Sequence, residues 1–173
     1  MAYPAYLSVK GAKQGQFKGE STLASRKNWI PVLAFEMALE SPHDAATGQA
    51  SGIRRYKPIV IAKEWGAASP QAMTACATNE TLTSVTLDFA KADSDGKPTT
   101  YQTIILTNAI IVQVYRTKGK LARPGHPLSA ELHAEHSGSV DVHELEEWEF
   151  VFQQIEFSDV DGLTTFTDDW EAQ

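Results

Sequence analysis

The chain has 173 residues, of which 42% are hydrophobic and 21% charged, with a formal net charge of −7 and one cysteine. A chain of this length buries roughly two-thirds of its unfolded surface as one domain, so a core forms without covalent staples. Cys76 is alone, which excludes an internal disulfide, and the acidic balance argues against nucleic acid or an anionic membrane as the main partner.

In chain order, Met1–Gly11 has no basic region followed by an apolar run, so no cleavable signal peptide is expected. No apolar stretch approaches the ~18 residues of a membrane span, so no membrane insertion is expected. Tyr6–Lys10 reads as a first strand, and Gly11 to Asn28 as loop without period. In Trp29–Leu39 the residues Leu33, Phe35, Met37 and Leu39 alternate and predict one inward face, with Pro31 near an edge or bulge.

Ser41 to Gly52, SPHDAATGQASG, is a loop of small residues with nothing to anchor in a core. Such a loop is uncommon in a compact domain unless it has a task, and the residues leave two readings open: an interaction arm or a floppy hairpin tip. Arg54-Arg55-Tyr56-Lys57 is the one basic cluster at a strand entry, most simply a solvated edge. Ile59–Ala62 is apolar on both parities, as in a strand covered on both faces. Ser69-Pro70 predicts a helix start, with Ser69 as cap, and Asn79 a left-handed stop. Ala72, Met73, Cys76 and Ala77 are expected on its buried face, which makes Cys76 a packing thiol and not a nucleophile.

Leu82–Ala90 alternates with Val85, Leu87 and Phe89 inward, and Asp95-Gly96 signals a hairpin. Tyr101–Tyr115 is one bent strand or two, with the break at Asn108-Ala109. The polar segment from about 116 to 144 has no period. Glu146–Phe152 alternates with Trp148, Phe150 and Phe152 on one face, which leaves Glu147 and Glu149 for water. A phase change at Gln153-Gln154 predicts a bulge, Asp161-Gly162 a turn, and Thr164–Trp170 a last strand. About seven or eight strands and one helix close into a barrel or pack as two sheets.

Chemistry has few footholds. His133, His136 and His143, with Glu131, Glu135 and Asp141, form the one region where a metal is arguable, but no recognised ligand spacing is matched and a solvated acidic loop is the simpler reading. No catalytic motif and no cofactor fingerprint is found, so no catalytic residue, cofactor or metal is expected.

Taken in order, Tyr6-Leu7-Ser8-Val9, Ile30-Pro31-Val32-Leu33-Ala34-Phe35, Lys57-Pro58-Ile59-Val60-Ile61-Ala62-Lys63-Glu64, Ala68-Ser69-Pro70, Cys76-Ala77-Thr78-Asn79, Ile104–Ala109 and Glu149–Phe157 resemble the haemolysin-coregulated protein (Hcp) family of type VI secretion systems. Departures are the longer polar stretch Arg116 to Glu144 and an acidic ending. The resemblance implies a mainly β fold: a β-barrel of two antiparallel sheets with one short flanking α-helix at about residues 69–79, as a single domain over 1–173 with an extended loop at about 41–53.

It implies a structural, non-enzymatic subunit. Six copies close into a ring and rings stack into the inner tube, with the contractile sheath, the spike and small effectors as partners. It also implies synthesis in the bacterial cytoplasm and secretion without a cleavable signal to the extracellular space or a target cell. Self-assembly is then expected to use Ser41, Pro42, His43, Asp44, Gly48 and Gly52 of the loop, and Arg54, Arg55, Lys57 and Lys63 against acidic surfaces of a neighbour. Two alternatives are a monomeric small-ligand-binding barrel with Trp148, Phe150 and Phe152 as a pocket wall, and a metal-dependent hydrolase using the histidine region.

Overall fold

The computed structural model describes residues 4–118 and 144–170. The first sheet contains β1 (Ala5–Gly11), β2 (Gly15–Gln16), β3 (Ile30–Val32), β8 (Leu82–Ala92), the first half of β9 (Pro98–Lys118), β11 (Gln154–Asp159) and β12 (Thr164–Asp169). The second contains the rest of β9, β10 (Glu144–Val151), β7 (Ile59–Glu64) and β4 (Ala34–Glu36). All pairings are antiparallel. A separate two-stranded sheet pairs β5 (Leu39–Glu40) with β6 (Arg55–Tyr56).

The expected strands meet these bounds with informative differences. Tyr101–Tyr115 lies in one strand that bends where the sequence placed a break: Asn108 takes φ 51°. Before it, β9 pairs β8 and β11; after it, β10. The chain changes sheets again at Phe152-Gln153, and the Asn108 amide donates to Gln153 Oε1 at 2.8 Å, pinning the two corners together. On the other side, residues 30–36 join the sheets, since β3 pairs β1 and β4 pairs β7. The barrel of the sequence reading is thus two sheets joined at two corners, without a single closed ladder.

The kink at Leu33 corrects the expected face. Ile30 and Val32 are buried, whereas Leu33 and Leu39 are exposed. A single alternation cannot run through a segment that leaves one sheet and enters the other, because the residue at the corner changes which parity faces inward. In β8 Val85 and Leu87 are buried with Phe89 packed against them, as expected, and Ile59 to Ala62 are buried at every position.

The helix α1 (Ser69–Thr78) packs on β9 and ends at Asn79 in the left-handed region, as read from the sequence. Its start differs. Ala68 occupies the cap position, Pro70 is the second helical residue, and the Ser69 hydroxyl makes no cap bond. The buried face is Ala68, Ser69, Ala72 and Ala75, with Cys76 half-buried, while Met73 and Ala77 are exposed. Small residues let the helix axis approach the sheet, so the larger Met73 is turned out.

Ser69 is drawn inward by a buried carboxylate. Glu146, on β10, is inaccessible to solvent. Its Oε1 accepts from Ser69 Oγ at 2.7 Å, Trp148 Nε1 at 3.1 Å and Lys63 Nζ at 3.3 Å, and its Oε2 pairs with Arg116 Nε at 2.9 Å. Lys63 is also buried and lies 5.5 Å from the centre of the Trp148 ring. One side chain therefore ties β7, β9, β10 and α1. Its neighbour corrects a second expectation: Glu147 is buried and Glu149 half-buried, not turned to water. Glu147 stands between Ala62 and Tyr115 on a face that also carries Leu145 and Ala34, a second small apolar cluster.

The segment Leu23 to Asn28, read as structureless, contains a short 3-10 turn, Ala24–Arg26. It delivers Arg26 to Asp88 of β8 (Nε to Oδ2, 2.5 Å), with Thr100 Oγ1 and the Pro98 carbonyl accepting the other donors. Gly19 lies against this turn, where an added Cβ would stand 2.2 Å from the Trp29 carbonyl.

Removing one partner of a buried ion pair strands the other. Glu146→Ala is expected to lower unfolding stability by about 3–5 kcal/mol. The double change Glu146→Leu with Lys63→Met should cost clearly less. Chemical denaturation of the three proteins decides between these outcomes.

Candidate self-association surface

Residues 39–56 form a hairpin arm that stands outside both sheets. At its base Leu39 pairs Tyr56 and Glu40 pairs Arg55. Further out His43 bridges Ala50, and the Ser51 amide donates to the Pro42 carbonyl at 3.0 Å. The tip is closed by Asp44, whose Oδ1 accepts from the amides of Ala46 and Thr47, both at 2.8 Å, and from Thr47 Oγ1 at 3.1 Å. These bonds, led by the Thr47 amide, hold the Asp44 carboxyl below its ordinary pKa. Gly48 takes φ 70°, which returns the chain. The tip chemistry (Asp before small residues, Gly at the left-handed position) is what makes this stretch a hairpin.

Nine of the ten residues expected to serve self-association fall on this arm or at its root; the tenth, Lys63, lies in β7. Ser41, His43, Asp44, Gly48 and Gly52 are exposed along it, and Pro42 is half-buried. The cations are less alike than the sequence suggested. Arg54 is engaged within the chain by Asp168. Lys57 pairs with Glu40 at 2.9 Å in the open, which raises its pKa. Arg55 is exposed and makes no ion pair with the described residues. Lys63 is buried against Glu146 and cannot meet a neighbour, which corrects that part of the expectation.

The root of the arm holds residues that sequence reading did not single out. Asp168, on β12, accepts from Arg54 Nε and Nη2 and, at 2.7 Å, from the Tyr56 hydroxyl. The Tyr56 ring meets Phe152 and Trp170 edge-on, with centroids 5.1 and 5.7 Å away. Tyr56, Lys57, Val151, Phe152 and Trp170 line a cavity of ≈ 270 Å³. The Arg54 bonds keep the Asp168 carboxyl below its usual range. Burial, then the bond to Asp168, pushes the Tyr56 phenol up to about 12. The pair Asp168-Asp169 beside Trp170 was visible in the sequence, but its partner lies more than a hundred residues earlier.

The other candidate sites fare differently. Trp148 and Phe150 are closed in the core, so only Phe152 of the proposed ligand wall reaches a cavity. His133, His136 and His143 lie outside the described residues. Among the described residues no group of His, Cys, Asp and Glu is placed to hold a metal, and no helix is long and apolar enough to cross a membrane.

Comparison with known proteins settles the family. The family described as "Type VI secretion system effector, Hcp" matches residues 6–158. The chain belongs to the Hcp family of type VI secretion proteins. The Major exported protein of Pseudomonas aeruginosa is 29% identical, with 99% of this chain and 98% of that protein aligned. An Hcp protein of the E. coli EAEC pathovar, solved as a double mutant, is 27% identical with a TM-score of 0.78 over 98% of this chain and 99% of the other. A further Hcp crystal structure shares the fold, with a TM-score of 0.79 at 20% identity, over 98% of this chain and all of that one. The resemblance read from Ile30–Phe35, the Lys57-Pro58 strand and the Ser69-Pro70 helix is thereby borne out, and this Hcp-family chain is a mainly β protein with one α-helix among the described residues.

The Tyr56 environment makes a testable claim. The folded state holds the phenol proton more tightly than an unfolded chain, whose tyrosine titrates near 10. The contribution is complete below that value and is lost as the pH rises through about 12. Subtracting the ultraviolet titration of Tyr56→Phe from that of the parent should leave one phenol with a pKa of about 12. A difference curve centred near 10 contradicts the buried, bonded hydroxyl.

Proposed function

We propose that this Hcp-family chain is a self-assembling, non-enzymatic subunit of the type VI inner tube. Six copies close into a ring, rings stack, and the stack is ejected, with small effectors in the lumen and the sheath and spike as further partners. The whole chain 1–173 acts as one domain, to which the arm at about 41–53 and the polar segment at about 116–144 are additions. The subunit is made in the bacterial cytoplasm and exported to the extracellular space or a target cell.

The observation that carries this reading is the arm. It is a two-stranded hairpin with its own ladder and turn, outside the main sheets, and exposed nearly throughout. An ordered projection of this kind has no role in the core and suits contact with another molecule. Open strand edges support the same reading: among the described strands β12 pairs β11 alone, and a heterologous ring contact gives such an edge a partner.

Charge shapes the assembly. At −7 per copy, like subunits repel unless cations face acidic surfaces. Arg55 is placed for this, and the exposed Lys57–Glu40 pair can exchange partners.

Size-exclusion chromatography with light scattering should give the mass of six chains. A strict monomer at high concentration would refute the reading. Deletion of Ala45 to Ala50 should leave the fold and the ring mass intact and weaken stacking; loss of the folded state would place the arm in the core. Sedimentation should show stacked species decreasing as ionic strength rises, and indifference to salt would remove the electrostatic account.

A further inference from the structure

We propose that Asp168 is a positioning residue: it clamps the returning strand of the arm to β12, and so sets the angle at which the arm and Arg55 are offered to a second copy of the chain. This rests on the tube reading above, and it assigns the arm's orientation to the C-terminal strand.

The arm needs an orienting contact. β5 and β6 pair only with each other among the described strands, so no ladder passes from the arm into either sheet. The chain enters through β4 and leaves into β7, and two backbone connections alone leave a hinge. At that hinge the Lys57 amide donates to the Ala38 carbonyl at 3.0 Å, which closes the base of the hairpin without fastening it to the body.

Asp168 supplies the fastening. Oδ1 accepts from Arg54 Nη2, and Oδ2 accepts from Arg54 Nε and Tyr56 Oη. Arg54 Nη2 also reaches the Asp169 carbonyl at 3.4 Å. A guanidinium bound through two of its donors to both oxygens of a carboxylate is fixed in plane and direction, unlike a point contact. The phenol adds a second attachment two residues along the same strand. The edge contacts of Tyr56 with Phe152 and Trp170 then hold the ring against the body.

Parity completes the argument. Residues 54 and 56 of an extended strand point to one side and residue 55 to the other. Arg54 and Tyr56 are turned to Asp168, and Arg55 is exposed. One carboxylate on β12 therefore settles which face of the arm root looks outward. Asp168 is itself held in register opposite Ile155, a buried core residue of β11, so the clamp is anchored to the core.

The test uses the full chain and hydrogen exchange followed by mass spectrometry, with light scattering for assembly. Asp168→Asn keeps the shape and removes the charge. Peptides covering Leu39–Glu40 and Arg55–Lys57 should exchange about tenfold faster or more, with β8 unchanged. Ring mass should persist and stacking should fall. Tyr56→Phe should give a smaller change in the same peptides. Arg54→Lys keeps the charge but loses the fork: it should recover thermal stability relative to Arg54→Ala without recovering stacking, whereas a merely stabilising pair would recover both.

Unchanged arm exchange in Asp168→Asn overturns the clamp whatever the assembly does. Faster exchange with undiminished stacking overturns the positioning role. Should the parent protein never assemble, the tube reading fails, and the exchange difference alone then decides whether the clamp exists.

Discussion

Glu146 has no contact with water, yet it accepts three hydrogen bonds on one oxygen, while the other makes an ion pair with Arg116 and no hydrogen bond. Its partners come from β7, β9, β10 and α1. A buried carboxylate is costly to desolvate, and the cost is offset only by well-placed donors and cations. That requirement fixes relative positions: the helix must start where Ser69 can donate, and β7 must run in the register that brings Lys63 alongside. Trp148 contributes its indole N–H and covers the cluster with its ring. Hydrophobic burial drives the two sheets together, while this network fixes the strands of the second sheet to one another and to the start of the helix.

The same economy of contacts appears at the arm root, but at the surface. There a carboxylate of β12 meets a guanidinium and a phenol of a hairpin that, among the described strands, shares no ladder with either sheet. The internal network fastens elements that are packed along their length, while the outer one fastens a hairpin packed only at its root, through Tyr56. Changes to Glu146 therefore act on folding, and changes to Asp168 act on the geometry of a projecting part. On the proposed reading as a self-assembling subunit, the chain must hold its own fold and also present a surface to copies of itself, and the two carboxylates would divide those tasks.

Much of the fold was legible in the residues. The alternation of Val85, Leu87 and Phe89, the Asp95-Gly96 turn, the Asn79 stop and the break at Asn108 are local signals, set by backbone sterics and one-face burial, and each appears where expected. What escaped depends on distant partners. Arg26 reads as a loop charge until Asp88 is beside it, and Glu147 reads as a wet residue because alternation cannot tell a solvated second face from a covered one. Leu33 and Leu39 were assigned inward because a strand that crosses between sheets keeps its hydrophobic residues while changing its parity. At the arm, the loop composition and the basic cluster were visible, but the pairing of Arg54 and Tyr56 with Asp168 spans most of the chain. Lys63 was grouped with surface cations because nothing in its neighbourhood announces Glu146.

The central claim is that this fold is a building block whose exposed arm joins copies of itself. Electron microscopy of the purified chain at low ionic strength tests it most directly. The account predicts rings of six subunits with an open centre, some of them stacked. A uniform field of single-chain particles at high protein concentration would contradict it.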